Sequence, residues 1–383
     1  LRPLPRRADE RVQQLSRGRL LIVGGGQSGL SAARVGREQG WEPVVLEAGA
    51  SPVGSWPAYY DGLTLFSPAQ YSGFPGFPFP GDSTRYPRRD EVVEFLKDYA
   101  SWLDVDIRTG SRVATVSADT DGFTVTLTDG STIAGDALVA ASGSFSNPSI
   151  PTLPGSELFE GSMLHVSEYR VPEAFAGQRV IVVGAGNSAV QVGHELTQHS
   201  RVTVATRDKF RFLPQVIAGR DLHFWLLGLR FDLLPKALLK RVLRGTPVID
   251  RGTYRAALDS NELSHLAMFT AFTPDGVIWA DGSREQVDTV IFATGYRPHL
   301  PYLQQMGALD DIGRPLERHG ISTTHPRLAY LGLELQRSFS SNTIRGVHHD
   351  AEYVVSALGR GTHRPSGLVI QEAMRLSVLR SSS

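Results

Sequence analysis

The sequence predicts an α/β fold built from two Rossmann-like units, the second inserted into a discontinuous first. Three observations predict it. A Gly-rich turn, Gly24-Gly25-Gly26, lies between a short apolar run (19–23, RLLIV) and a helical pattern running from Ser28 to about Gln39. A second turn, Gly184-Ala185-Gly186, lies in the same way between 179–183 (RVIVV) and a helical pattern over 187–198. A late apolar run, 287–293 (VDTVIFA), precedes chain that returns to pack on the first unit. Short apolar runs that alternate with helical periodicity are the mark of βαβ units.

Taken in order, the strand at 19–23 is stopped by the glycines, the first helix is ended by Gly40, and 43–47 (PVVLE) is the second strand. The stretch 51–87 is rich in Pro, Gly, Tyr and Phe and has no periodicity. A loop of that length inside a compact domain is usually functional. Residues 91–102 read as a helix, 112–117 and 123–128 as a hairpin turned at Asp121-Gly122, and 137–141 (ALVAA) as a buried strand ending at Ser142-Gly143. The proline-rich connector from Asn147-Pro148 to Pro154-Gly155 is a domain boundary by its composition. The second unit closes with a strand at 201–206 (RVTVAT). Residues 221–244 are apolar and helical, broken at Pro235, and read equally as packed core, a dimer face or a substrate-side cap. The expected division is therefore a flexible leader at 1–18, a first domain of 19–155 and 286–383, and a second of 156–285.

Composition bounds the function. The 383 residues carry 39 Lys and Arg against 39 Asp and Glu, so no basic field calls for nucleic acid. There is no cysteine, which excludes disulfides, thiolate metal sites and thiol redox chemistry within the chain. No apolar run reaches the roughly 20 residues of a membrane span, and 1–18 lacks the apolar stretch of a secretory signal. A cytoplasmic protein is the expectation.

The two turns carry the chemistry. Gly24-x-Gly26-x-x-Gly29 has the spacing of the dinucleotide fingerprint: one glycine for the turn, one for backbone approach to a pyrophosphate, one for helix–strand packing. The second unit reads Gly184-Ala185-Gly186-Asn187-Ser188-Ala189, with the Ala that the third position permits. Register then separates them. Glu47 stands 23 positions after Gly24, and Arg207 stands 23 after Gly184, by subtraction. A carboxylate accepts hydrogen bonds from ribose hydroxyls and repels a 2′-phosphate, whereas a guanidinium grips that phosphate in a fork. The first site is read for FAD or NAD and the second for NADPH, with Lys209 and Arg211 adding charge nearby. Both predicted domains are thus dinucleotide-binding, and the chain is an oxidoreductase.

The stretch Phe159-Glu160-Gly161-Ser162-Met163-Leu164-His165-Val166-Ser167-Glu168-Tyr169 resembles the F-x-G-x-x-x-H-x-x-x-Y fingerprint of the class B flavin monooxygenases at all four defining positions. Tyr169, where Baeyer–Villiger enzymes usually carry Trp, resembles the flavin-containing monooxygenase side of that class. Gly54-Ser55-Trp56 is similar to the family's G-x-W flavin contact, and Ala293-Thr294-Gly295-Tyr296 to its A-T-G-Y crossing. The segments GSWPAYYDGLTLFSPAQYSGFPG and FATGYRP look closest to the short bacterial branch that includes the arsenic-operon enzymes.

The resemblance implies a reaction. NADPH reduces FAD, and oxygen adds to give a C4a-(hydro)peroxide that oxygenates a small N-, S- or metalloid nucleophile. It implies flavin contacts from Gln27, Ser28, Val113, Ser142, Gly143 and Ser338, and nucleotide contacts from Asn187, Ser188 and Thr206. His165 and Arg207 would hold NADP⁺, with Tyr169 beside them, and Trp56, Tyr59, Tyr60 and Phe66 would wall the pocket. One departure stands out. Phe66 occupies the place where eukaryotic-type members have an Asn that can hydrogen-bond the oxygenated flavin; Ser67 and Gln70 are the nearest polar substitutes in sequence. Either another donor serves, or electrons leak to oxygen in an NADPH oxidase reaction.

Two rivals remain: a reductase passing electrons to a quinone, and a non-catalytic redox sensor. The fingerprint at 159–169 disfavours the first and the two intact Gly turns the second. No metal is expected: His348-His349-Asp350 are adjacent, and neighbours on a strand point oppositely. His223 reads as a channel or a structural histidine, and Gln336, Arg337 and Ser338 as residues of a turn near the flavin. The expected partners are a small-molecule substrate and oxygen, with a homodimer as the candidate assembly.

Overall fold

The structure, a computed structural model, describes residues 17–229, 231, 234 and 247–360. Residues 1–16 of the expected leader and most of the second half of the 221–244 segment fall outside the described residues.

The first unit runs β1 (Arg19–Val23), α1 (Gln27–Glu38) and β2 (Glu42–Leu46), then α2 (Arg89–Leu103), β3 (Asp106–Arg108) and β4 (Ala137–Ala140). The second runs β5 (Ser162–His165), β6 (Arg179–Val183), α3 (Asn187–Leu196), β7 (Arg201–Thr206), α4 (Leu222–Gly228), α5 (Thr253–Asp259), β8 (Ser264–Ala267) and β9 (Thr289–Phe292). The chain returns through two short strands, Glu317–Arg318 and Ile321–Ser322, to β10 (Leu328–Tyr330) and α6 (Val347–Arg360).

Seven strands form the first sheet, in the order 317–318, 321–322, β10, β4, β1, β2, β3. All pairs from β10 to β3 are parallel. Parallel strands are covered on both faces, so they read as unbroken apolar runs rather than alternating ones; β1 and β2 are each buried at every position but the first. On one face lie α1, α2 and α6, over Leu20, Ile22, Val45 and Val139. On the other lies an antiparallel meander (Val113–Ala118, Phe123–Leu127, Thr132–Gly135) over Leu21, Val23 and Leu138.

The second sheet is parallel in the order β8, β7, β6, β9, β5. Its β9 is drawn from 289–292, so the division expected at 285/286 cuts a sheet that runs on to Phe292. A strand at the edge, β5, also carries His165 in register with Phe292; the sequence had no periodicity there to mark it. Helices α3 and α5 cover one face.

The loop 51–87 divides its aromatic residues between two tasks. Phe74, Phe77 and Phe79 pack on α2, with Phe74 4.1 Å from Tyr99 and Phe79 4.4 Å from Phe95. These receive the apolar stripe of α2 at Val92, Phe95, Leu96 and Tyr99. Trp56, Tyr59 and Phe66 are left to face a cleft.

The chain crosses between the sheets twice, and the crossings pair. Ser149 N–H donates to the Gly295 carbonyl and Arg297 N–H to the Asn147 carbonyl, both at 2.9 Å, around an antiparallel bridge of Pro148 and Tyr296.

Candidate active site

The first Gly turn is shaped by contacts that leave no room for side chains. Gly24 has φ +105°, and a Cβ there would lie 2.6 Å from the Ala141 carbonyl oxygen. A Cβ on Gly29 would lie 1.8 Å from the Gly24 carbonyl oxygen. Gly26 and Gly54 face each other, so that a Cβ on Gly54, itself at φ +55°, would meet the Gly26 Cα at 2.9 Å. The N-terminus of α1 therefore opens onto bare backbone, where its unpaired N–H groups can meet phosphate oxygens.

Glu47 closes the turn from below. It is 7 % exposed, and its two carboxylate oxygens accept the N–H groups of Gly25 and Gly49, each at 2.6 Å. Each oxygen keeps a further lone pair, and Glu47 lines the cleft. Gln27 fixes the rim: its Oε1 accepts the Trp56 indole N–H at 2.9 Å, and its Nε2 donates to the Asn342 carbonyl at 2.7 Å.

A cleft of about 990 Å³ runs from this turn to Asn187, the first residue of α3. Ring contacts link its wall to the fingerprint: Trp56 to Tyr59 (5.5 Å), Tyr59 to Phe145 (4.6 Å), Phe145 to Tyr296 (5.3 Å), Tyr296 to His165 (4.8 Å). Burial pushes the Tyr59 hydroxyl up to about 12, so that wall is uncharged.

His165 is fully buried. Burial pushes its pKa below the ordinary histidine value, against the opposing pull of its bond to Gly295. The neutral ring has one N–H, and its partners choose which nitrogen carries it. Nε2 lies 3.1 Å from the Gly295 carbonyl oxygen, which only accepts; Nδ1 lies 3.1 Å from the Ser167 backbone N–H, which only donates. The proton is therefore on Nε2. The Gly295 carbonyl takes this N–H as well as that of Ser149, so His165 ties β5 to both crossings.

In the second turn, Gly184 has φ +148° and a Cβ there would lie 2.4 Å from the Ala293 carbonyl oxygen. Gly186 is different: a Cβ would meet nothing within 4 Å. No protein contact requires glycine there, and the open space is what a pyrophosphate would take. Arg207 and Lys209 follow the end of β7 and are exposed.

Comparison with known proteins agrees with this geometry. A family model described as pyridine nucleotide-disulphide oxidoreductase matches residues 21–216. An indole-3-pyruvate monooxygenase, YUCCA1, of Oryza sativa subsp. japonica is 34 % identical over 335 residues, covering 79 % of this chain and 81 % of its own. The chain is a class B flavin monooxygenase. A flavin-containing monooxygenase from Stenotrophomonas maltophilia superposes with a TM-score of 0.78 at 30 % identity, over 89 % of this chain and 98 % of that one. A CzcO-like oxidoreductase of Geobacillus kaustophilus is 29 % identical over 88 % of this chain and 97 % of its own. With no cysteine, the monooxygenase has no disulphide chemistry of its own. Its cofactors are FAD and NADPH, and no helix among the described residues is long and apolar enough to cross a membrane.

The cleft of the monooxygenase gathers most of the expected flavin contacts: Gly24, Gly26, Gln27, Ser28, Glu47, Gly54, Ser55, Trp56, Val113, Ser142 and Gly143, with Phe66 and Ser67. Several expected residues lie elsewhere. Tyr169 is fully buried in the core under α3, where its hydroxyl donates to Glu195 at 2.9 Å, so it faces no cavity. His165 likewise reaches the site only through Gly295. Gln70 lines a second cavity and not the cleft. Ser67 sits in the cleft, but its hydroxyl pairs with that of Ser72 at 2.9 Å. Ser338 is buried with its hydroxyl 3.1 Å from that of Ser340; Phe339, Asn342, Thr343 and Ile344 of the same turn line the cleft instead. Thr206 pairs with His265 at 2.7 Å, and Thr294 donates to the Ser149 carbonyl. Gly184, Gly186, Ser188, Thr206, Arg207, Lys209, Thr294, Gly295 and Tyr296 line neither cavity.

Gln336 is structural, donating to the Tyr330 carbonyl at 2.8 Å, and Arg337 pairs with Asp350 at 3.2 Å. His348, His349 and Asp350 stand in the first turn of α6, a helix rather than a strand. No group of metal-ligating residues occurs among the described residues. Sequence reasoning missed Arg112, Phe145, His299, Tyr302 and Glu334, all cleft-lining. Two of them had a signal, Arg112 beside Val113 and Phe145 two residues past Gly143; His299, Tyr302 and Glu334 arrive from distant parts of the chain.

Proposed function

We propose that this monooxygenase oxygenates a small soft nucleophile: an amine nitrogen, a sulfide sulfur or a trivalent metalloid. The observation that carries it is the single cleft that joins the first Gly turn to Asn187 of the second, walled by Trp56, Tyr59, Phe66, Phe145 and Phe339. Gly24, Gly26, Gln27, Ser28 and Glu47 would hold FAD, the carboxylate accepting from ribose hydroxyls; Gly184, Gly186, Asn187, Ser188 and Arg207 would hold NADPH, the guanidinium through the 2′-phosphate. Residues 19–155 and the chain beyond Phe292 form the FAD domain, and the second sheet forms the NADPH domain.

FAD, once reduced, supplies the oxygen-activating chemistry. The side chains bind, orient and shield. The aromatic wall excludes water from the reacting centre, and His165 is a positioning residue that holds the crossings at their spacing. A catalytic acid or base is not needed for a soft nucleophile that attacks through its own lone pair.

One observation favours a second reading. Phe66 faces the cleft where a hydrogen-bond donor would prolong oxygen activation, and the Ser67 hydroxyl beside it is engaged by Ser72. That wall favours NADPH oxidase leakage. Oxygen uptake with NADPH, measured against amines, sulfides and trivalent arsenicals with hydrogen peroxide followed in parallel, tests both. Uptake that rises with one class and is not matched by peroxide supports oxygenation. Equal peroxide for every candidate would establish the oxidase and end the oxygenase proposal.

A further inference from the structure

Behind the flavin cleft lies a second cavity, also of about 990 Å³, that the oxygenation reading does not use. The two share a wall. Ser67 lines one and Pro68 the other; Ile249 lines one and Asp250 the other. Gln215, in the second cavity, donates to the Phe66 carbonyl at 2.9 Å.

Three arginines line the second cavity: Arg220, Arg251 and Arg255. None has a carboxylate within ion-pair distance among the described residues. Two acids also line it, so the formal charge is only +1, three guanidiniums against two carboxylates. Placement decides what a ligand meets. The Asp221 carboxylate is turned inward, taking Gln215 Nε2 at 2.9 Å, His223 N–H at 2.8 Å, His223 Nδ1 at 2.7 Å and the Tyr86 hydroxyl. Asp250 is buried and accepts the N–H groups of Tyr254 and Arg255. Arg220, Arg251 and Arg255 are exposed residues. Arg251 stacks 3.6 Å over the Tyr86 ring and Arg220 5.2 Å over Phe224. Stacking takes the face of a guanidinium and leaves its N–H edge free for a carboxylate.

We infer that this cavity binds an organic carboxylate with a planar apolar body, the carboxylate on Arg251 and Arg255 and the body against Tyr71, Tyr86 and Phe224. The inference holds whichever nucleophile is oxygenated, because its test is binding rather than turnover. The FAD-loaded full chain is titrated calorimetrically with 2-naphthoate and with the neutral 2-naphthamide. A charge-assisted fork is worth roughly 1.5–3 kcal/mol. Naphthoate should therefore bind at least about tenfold more tightly than naphthamide, by the same conversion. The double variant Arg251→Gln/Arg255→Gln should bring naphthoate to the naphthamide affinity while the flavin spectrum and the KM for NADPH stay unchanged. Absence of naphthoate binding, equal affinity for the two probes, or full affinity in the double variant would overturn the inference. So would competitive displacement by NADP⁺, which would make the cavity part of the nucleotide site.

Discussion

At the scale of single residues, the two Gly turns were legible because their requirement is local and steric. Gly29 shows it: a Cβ 1.8 Å from the Gly24 carbonyl oxygen leaves the turn no accommodation short of moving α1 away from β1. Gly29→Ala should weaken FAD binding roughly 5–150-fold, given the ~1–3 kcal/mol that overpacking costs. The ratio of flavin absorbance to protein after dialysis measures it, and full flavin retention would contradict the steric account. Arg207 was legible only by register. Its exposure fits a residue that meets a ligand rather than the protein. Arg207→Ala should raise the KM for NADPH by roughly 10–100-fold, the loss of about 1.5–3 kcal/mol of charge-assisted bonding, and leave that for NADH nearly unchanged. Equal rises for both nucleotides would remove the 2′-phosphate role. His165 and Tyr169 were legible as a motif but not in their contacts. Gly295 and Glu195, which receive their hydrogen bonds, are brought to them by the fold and not by the local sequence.

At the scale of elements, strands and helices followed their periodicity, and the irregular segments did not. The loop 51–87 has no repeat to read, yet it is anchored at its far end by one acid. Asp221 accepts the Tyr86 hydroxyl from that loop while its Oδ1 caps α4 through the His223 N–H. His223, 1 % exposed, is held stacked against Phe66 and Tyr71, with ring centroids 6.1 and 5.8 Å away. This histidine is structural, and its aromatic neighbours could not be foreseen without the fold. Burial alone would raise the Asp221 pKa; the hydrogen bonds from His223, Tyr86 and Gln215 outweigh it and hold the carboxyl at about 2. A carboxyl depressed in the folded state contributes stability above its unfolded value, and that stability is lost as pH falls through the folded value. The window therefore lies between about pH 4 and pH 2. Asp221→Asn should cost on the order of 2 kcal/mol at pH 7, with the gap to the parent protein narrowing across that window. Urea unfolding at pH 7 and pH 3 measures both. A gap that is constant with pH would show that the charge is not what anchors the loop.

At the scale of the whole molecule, the two sheets must be held at a fixed separation for a hydride to pass between NADPH and FAD. The paired crossings at 147–149 and 295–297 do this, and His165 is the side chain that joins them to the edge of the second sheet. The Gly295 carbonyl uses both lone pairs, one for the Ser149 N–H and one for the His165 Nε2–H. Removing the imidazole leaves one of these unmet in a buried place and frees Tyr296, whose ring stands edge-on to His165 at 4.8 Å. Tyr296 continues through Phe145 and Tyr59 to Trp56, so the disturbance runs along the wall of the cleft. His165→Ala should therefore lower the yield of oxygenated product per NADPH consumed, with hydrogen peroxide making up the difference. The KM for NADPH should change less than about threefold, because the ring has no spare nitrogen with which to bind a nucleotide. His165→Gln, which presents an amide N–H on a side chain of similar length, should restore part of the coupling. Parallel measurement of NADPH oxidation, peroxide and product separates the cases. A large rise in KM with coupling intact would mean that the imidazole grips the nucleotide itself, and that the crossings hold their spacing without it.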